Sequence, residues 1–100
     1  MITRKVGPAL AAGCPSVVKP SELTPLSAMA LMEMGRKAGI PDAAFDVLPL
    51  GADHTPLFGR EICTNDDVKK ISFTGSTRVG KILQRQVRCV CANSTAFARS

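Results

Sequence analysis

The sequence has no tryptophan, no tyrosine and only four phenylalanines, too little aromatic surface for a site that stacks bases or sugars. Its single histidine, His54, accompanies four cysteines, Cys14, Cys63, Cys89 and Cys91, and no pair of them has C-x-x-C spacing. The usual zinc frameworks are therefore excluded, no metal site is expected, and the cysteines read as reduced, structurally incidental thiols. No apolar run approaches the roughly 20 residues needed to span a bilayer, so a soluble chain without a membrane partner is expected. A one-sided basic patch is missing too. The formal net charge is +5, but residues 1 to 81 hold ten Lys/Arg against eight Asp/Glu, and much of the excess comes from Arg85, Arg88 and Arg99 in a segment with no acid. Basic residues interleaved with Asp42, Asp46, Asp53, Glu61, Asp66 and Asp67 do not form the stripe that phosphate-backbone binding requires, so no nucleic-acid partner is expected.

What remains is ordinary globular composition, 45% apolar and 21% charged over 100 residues, the size of one domain. Such a chain buries roughly 60–70% of its unfolded surface, enough for one modest core. The opening MITRKVGPALAAGC imitates a secretory signal, with basic residues before a short apolar stretch. Gly7 and Pro8 interrupt that stretch, however, and a patterned unit follows directly, so no address is read from it.

Short apolar runs alternate with helical stretches, the rhythm of βαβ units. Residues 8–13 form or end a helix, with Pro8 expected at its start or at a kink. Residues 15–19 are a β-branched strand stopped by Pro20. Thr24 and Pro25 open a helix to about Ala38, Thr24 as the cap and Pro25 at the first position. Leu26, Met29, Ala30, Leu31, Met34 and Ala38 are its expected core face, and Gly39 and Pro41 its stop. Residues 45–48 are a second strand. A weaker helix around residues 54–63 and an acidic turn at Asp66 and Asp67 lead to a third strand, 70–74, and a last helix starts near Ser76. The expected fold is α/β, a partial Rossmann-like open parallel sheet with flanking helices. Ligands of such sheets bind beyond the carboxyl ends of the strands, which directs attention to the loops after Lys19 and Thr74.

The second of these loops, FTGSTRVG, has the parts of an anion site. Gly75 permits a tight turn, and free amides with the Ser76 hydroxyl face the positive end of a helix. An ordinary Gly-Ser helix cap explains the same residues. Gly75 to Lys81 also satisfies the G-x-x-x-x-G-K part of a nucleotide-hydrolase loop, but residue 82 is Ile where a magnesium-holding hydroxyl is required. At the first loop, Lys19 and Glu22 stand three residues apart beyond a strand end. The carboxylate there suits the hydroxyls of a ribose, and a plain surface ion pair suits the same two residues.

Taken in order, MITRKVGPALAAGC, VVKPSELTP, AGIP and ISFTGSTRVGK resemble the cofactor-binding part of the NAD(P)-dependent aldehyde dehydrogenase superfamily over residues 1 to about 83, and the N-terminal stretch is most similar to its succinate-semialdehyde dehydrogenase branch. The resemblance implies that residues 1–83 are a partial NAD(P)-binding domain. Lys19 and Glu22 would approach the adenosine ribose, Gly75 and Ser76 the pyrophosphate, and Gly80 would allow close helix packing. A carboxylate at Glu22 disfavours a 2′-phosphate, so NAD is expected over NADP. It further implies an aldehyde substrate in the complete enzyme, with succinate semialdehyde the expected one, and residence in mitochondria or cytoplasm, with mitochondria favoured.

The family's cysteine nucleophile, glutamate base and oxyanion-holding asparagine find no counterpart in these residues, and no catalytic residue is assigned. Cys89 and Cys91 have nothing nearby in sequence that would activate them. Residues 84–100 depart from the pattern and are expected to form an irregular tail, a departure that suggests a different exon or a shifted reading frame. The principal expectation is therefore a part of an aldehyde-oxidising enzyme that supplies cofactor contacts but no turnover by itself. The alternatives are a non-catalytic product that binds nucleotide weakly or docks to full-length subunits through an unpaired sheet edge, and a product with no function.

Overall fold

The computed structural model describes residues 2–87. The chain divides into two compact units, Met1–Ala52 and Asp53–Ser100. Among the described residues the first unit contains helix α1 (Ile2–Ala11), strand β1 (Ser16–Val18), helix α2 (Leu26–Lys37) and strand β2 (Phe45–Val47). The second contains helices α3 (Thr55–Thr64) and α4 (Thr77–Gln86).

Strands β1 and β2 are parallel, with Ser16 opposite Phe45, Val17 opposite Asp46 and Val18 opposite Val47. The ladder is extended by Ser16 N–H donating to the Ala44 carbonyl at 2.9 Å and Leu48 N–H to the Val18 carbonyl at 2.9 Å. Parallel neighbours need a crossover, which α2 supplies, so β1–α2–β2 is the expected βαβ unit. Phe45 and Val47 point to the core, as the two-residue period of a strand requires, while Asp46 between them is exposed. With Val6 and Ala28 they form the buried cluster, and Ile2, Leu10, Val18, Leu31, Met32 and Ile40 pack around it. Burying an apolar side chain of that size contributes roughly 1.5–3 kcal/mol.

Helix α1 begins earlier than expected and carries Pro8 in its interior. Proline there removes one helical hydrogen bond and costs about 3 kcal/mol in an exposed helix. Ile2, Val6 and Leu10 recur every four residues, and all three meet the core, which offsets that cost. Residue Gly13, with φ of +74°, ends the helix. Gly13 N–H donates to Leu10 O and Cys14 N–H to Ala9 O, both at 2.9 Å, the paired bonds of a Schellman cap.

Helix α2 differs from expectation at its start and on its face. Pro25 occupies the cap position with helical φ and ψ, its carbonyl accepts from Ala28 and Met29, and no side chain caps it, so Thr24 does not play that part. The inward residues are Ala28, Leu31 and Met32, spaced as one helical face. Leu26, Met29 and Met34 are exposed, so the expected methionine stripe is not core. The C-terminus matches expectation. Gly39, at φ of +90°, donates to Arg36 O and Ile40 N–H to Gly35 O, both at 3.0 Å, and Ile40 folds back until its Cδ1 lies 3.3 Å from where a Gly35 side chain would begin.

In the second unit α3 opens with Pro56 in its first turn. It closes at Asn65, whose N–H donates to Glu61 O and whose side chain accepts from Asp67 N–H at 2.9 Å. That local ring builds the acidic turn. Helices α3 and α4 pack through Cys63 and Leu83, both buried. The Cys63 thiol donates to the Leu83 carbonyl at 3.7 Å, and Gly59 admits the Leu83 methyl close to its backbone. Residues 70–74 are not a strand; among the described residues they pair with none. An apolar β-branched run becomes a strand only where a neighbour accepts its ladder. Helix α4 continues through Gln86, past the boundary expected at residue 83. Cys89, Cys91 and the expected tail from residue 88 onward lie outside the described residues.

Candidate functional site

The residues singled out from the sequence fall into two segments, one in each unit. In the first unit, β1 ends at Val18 and Pro20, which is buried, prevents its continuation. Ser21 then builds a turn in which its hydroxyl accepts from Leu23 N–H at 3.3 Å and its carbonyl from Thr24 N–H at 3.2 Å. The turn brings Lys19 Nζ to 3.0 Å from Glu22 Oε2. The Lys19 side chain is 18% exposed and that of Glu22 42%, so the lysine stem lies along the protein while the carboxylate faces water. A hydrogen bond from its own backbone N–H, then the Lys19 ammonium, hold the Glu22 carboxyl below the usual range. The Glu22 carboxylate and the Lys19 amine thus meet at one spot, the first able to accept from hydroxyls and the second to donate to oxygen.

In the second unit the residues of interest stand at the start of α4. Ser76 is its cap, with extended φ and ψ of −65° and 145°, and its Oγ accepts from Val79 N–H at 3.4 Å. Gly80 N–H donates to the Ser76 carbonyl. Among the described residues the amides of Thr77 and Arg78, in the first turn, have no such acceptor. Acidic side chains commonly offset the positive end of a helix, but the first turn of α4 holds none. Arg78, Lys81 and Arg85 recur along one exposed face, and no Asp or Glu follows Asp67 in the sequence. The local field therefore favours an anion at this turn. Residues 77–81 are helical, which removes the phosphate-wrapping loop that the nucleotide-hydrolase alternative needs.

The chain bends at Gly75, and the bend does not itself demand a glycine. Its φ is not positive. A Cβ placed on it would lie 2.5 Å from Phe73 Cζ and 3.2 Å from both Cε atoms. The half-buried ring of Phe73 occupies the space a side chain would take. Phe73 was not singled out from the sequence. The available signal was its position two residues before the glycine, which puts both on one side of an extended segment. Gly80 is buried on the α4 face that also buries Leu83.

Of the described cysteines, Cys14 is exposed and Cys63 buried. Burial pushes the Cys63 thiol pKa up, the opposite of what activates a nucleophile. His54 is exposed, with Nδ1 3.0 Å from Asp53 Oδ2. Among the described residues no three His, Cys, Asp or Glu come together as a metal site would require, and no helix is long and apolar enough to cross a membrane.

Residues 1–95 match the model of the aldehyde dehydrogenase family. Over 83 residues the chain is 58% identical to the mitochondrial succinate-semialdehyde dehydrogenase of Homo sapiens and 55% identical to that of Mus musculus, in each case 83% of this chain and 16% of the relative. It is 51% identical over 86 residues to the succinate-semialdehyde dehydrogenase [NADP(+)] of Saccharomyces cerevisiae, 86% of this chain and 17% of that protein. The chain thus spans about one sixth of the length of these relatives, and within that span it belongs to the aldehyde dehydrogenase family.

Proposed function

We propose that residues 1–83 are part of the NAD(P)-binding domain of an enzyme that oxidises succinate semialdehyde to the acid, and that these residues position the cofactor without performing the oxidation. The observation that carries this reading is the start of α4. An uncapped pair of amides and a first turn free of acid fit one pyrophosphate. Ser76 would hold the helix end open to it and the backbone at Gly75 would lie beside it. In the other unit, Lys19 and Glu22 would take the hydroxyls of the adenosine ribose. The nicotinamide, when bound, supplies the hydride acceptor.

The Glu22 carboxylate repels a 2′-phosphate, so NAD is the preferred cofactor and NADP the weaker one. The human and mouse relatives carry "mitochondrial" in their names, which supports mitochondria as the compartment, with the cytoplasm as the alternative. Isothermal titration of the chain with NAD⁺ and NADP⁺ tests the cofactor role, with tighter binding of NAD⁺ expected. Equal affinity, or a preference for NADP⁺, contradicts the part assigned to Glu22. Incubated with NAD⁺ and succinate semialdehyde, the chain alone is expected to form no NADH. NADH formation contradicts the separation of positioning from chemistry.

A second reading has its own observation. Among the described residues β1 and β2 pair only with each other, which leaves strand edges through which the chain would dock to full-length subunits of its family. Co-purification with an intact relative tests it.

A further inference from the structure

We propose that Phe73 is a positioning residue for the anion turn: its ring, resting on the bare Cα of Gly75, holds the Gly75–Ser76 backbone so that the first amides of α4 stay presented to a dinucleotide pyrophosphate. This rests on the cofactor reading above and deepens it. The ring tip lies 2.5 Å from the position a Gly75 Cβ would take, and real Cβ atoms do not tolerate such an approach. Glycine at 75 and the ring at 73 therefore form one device, because any side chain at 75 displaces the ring. Among the described residues the segment 70–74 has no ladder partner, and the Phe73 ring is the contact seen at Gly75, where the segment enters α4. Gly75 also has no left-handed φ to account for its identity. The space taken by the ring is the remaining local reason.

A double-mutant cycle on the full chain separates one device from two independent roles. Phe73→Ala, Gly75→Ala and the double variant are each expected to weaken NAD⁺ binding about fivefold, near the worth of one amide hydrogen bond. The double variant is expected to be no worse than either single one, because the ring has left the glycine in all three. Phe73→Leu is expected to recover part of the loss and to keep the fold should Phe73→Ala lose it. A readout without ligand accompanies the titrations: hydrogen exchange at the Val79 amide, held by Ser76 Oγ, is expected to quicken to the same degree in all three variants. Losses that multiply to about twenty-five-fold in the double variant overturn the proposal, as does a Phe73→Ala chain that binds and exchanges like the original. If the unaltered chain shows no NAD⁺ binding, the cofactor reading fails and this role fails with it. If the unaltered chain binds but the cycle is additive, only this role fails.

Discussion

Ser76 satisfies one orphan amide of α4 with its own hydroxyl and leaves the two before it open. An ordinary cap and an anion site are thus the same geometry at this residue. Ser76→Ala is expected to cost about 1 kcal/mol of helix stability through the lost cap, read as a lower urea midpoint for the second unit. If the cofactor reading holds, the same substitution also weakens NAD⁺ binding. A stability loss with unchanged affinity assigns Ser76 to capping alone. Glu22 offers a test through pH. Its carboxyl is depressed in the folded chain, first by its own amide and then by Lys19, so the contribution is present above the unfolded pKa and is lost as pH falls through the lower, folded one. A carboxyl-carbon NMR titration of Glu22 is expected to give a midpoint below the ordinary glutamate value, and Lys19→Met is expected to raise it part of the way. No change in that variant contradicts the ion pair at 3.0 Å. The pair was legible as two charges three residues apart. Phe73 was not, because spacing says that two residues share a side, not that a ring leans onto its neighbour.

Among the elements, β1, α2 and β2 were legible because each has a local cause. Pro20 stops the first strand, Gly39 and Pro41 stop the helix, and the alternation of Phe45, Asp46 and Val47 marks the second strand. The Gly39 cap predicts its own test: at φ of +90° an alanine is expected to lose about 1–2 kcal/mol, seen as a lower thermal midpoint. An unchanged midpoint contradicts the left-handed cap. The features not legible depend on packing. Pro8 argued for a short helix, but Ile2, Val6 and Leu10 reach a common core that no local rule weighs against a proline. Apolar residues surround α2, so periodicity alone did not select Ala28, Leu31 and Met32 over Met29 and Met34. Residues 70–74 have strand composition but no partner strand among the described residues, and composition cannot supply one.

For the whole molecule, charge and coverage bear on function. Residues 1–67 hold six Lys/Arg and eight Asp/Glu, whereas residues 68–100 hold seven Lys/Arg and no acid. The positive excess thus lies in the part of the sequence that contains the α4 turn, and binding of a dinucleotide there is expected to weaken as salt rises. The fold class was legible because a βαβ unit has local signals, two short apolar runs with a helical stretch between them. The candidate site was legible only as two separate segments, because their assignment to one cofactor came from the resemblance and not from either segment's own chemistry. The most direct measurement is an amide NMR spectrum of the labelled chain recorded alone and during titration with NAD⁺. Dispersed signals with saturable shifts at Glu22, Gly75, Ser76, Thr77 and Arg78 are expected. Dispersed signals that stay still at those residues, or collapsed signals that do not respond, would contradict the claim that this chain retains the cofactor contacts of its family.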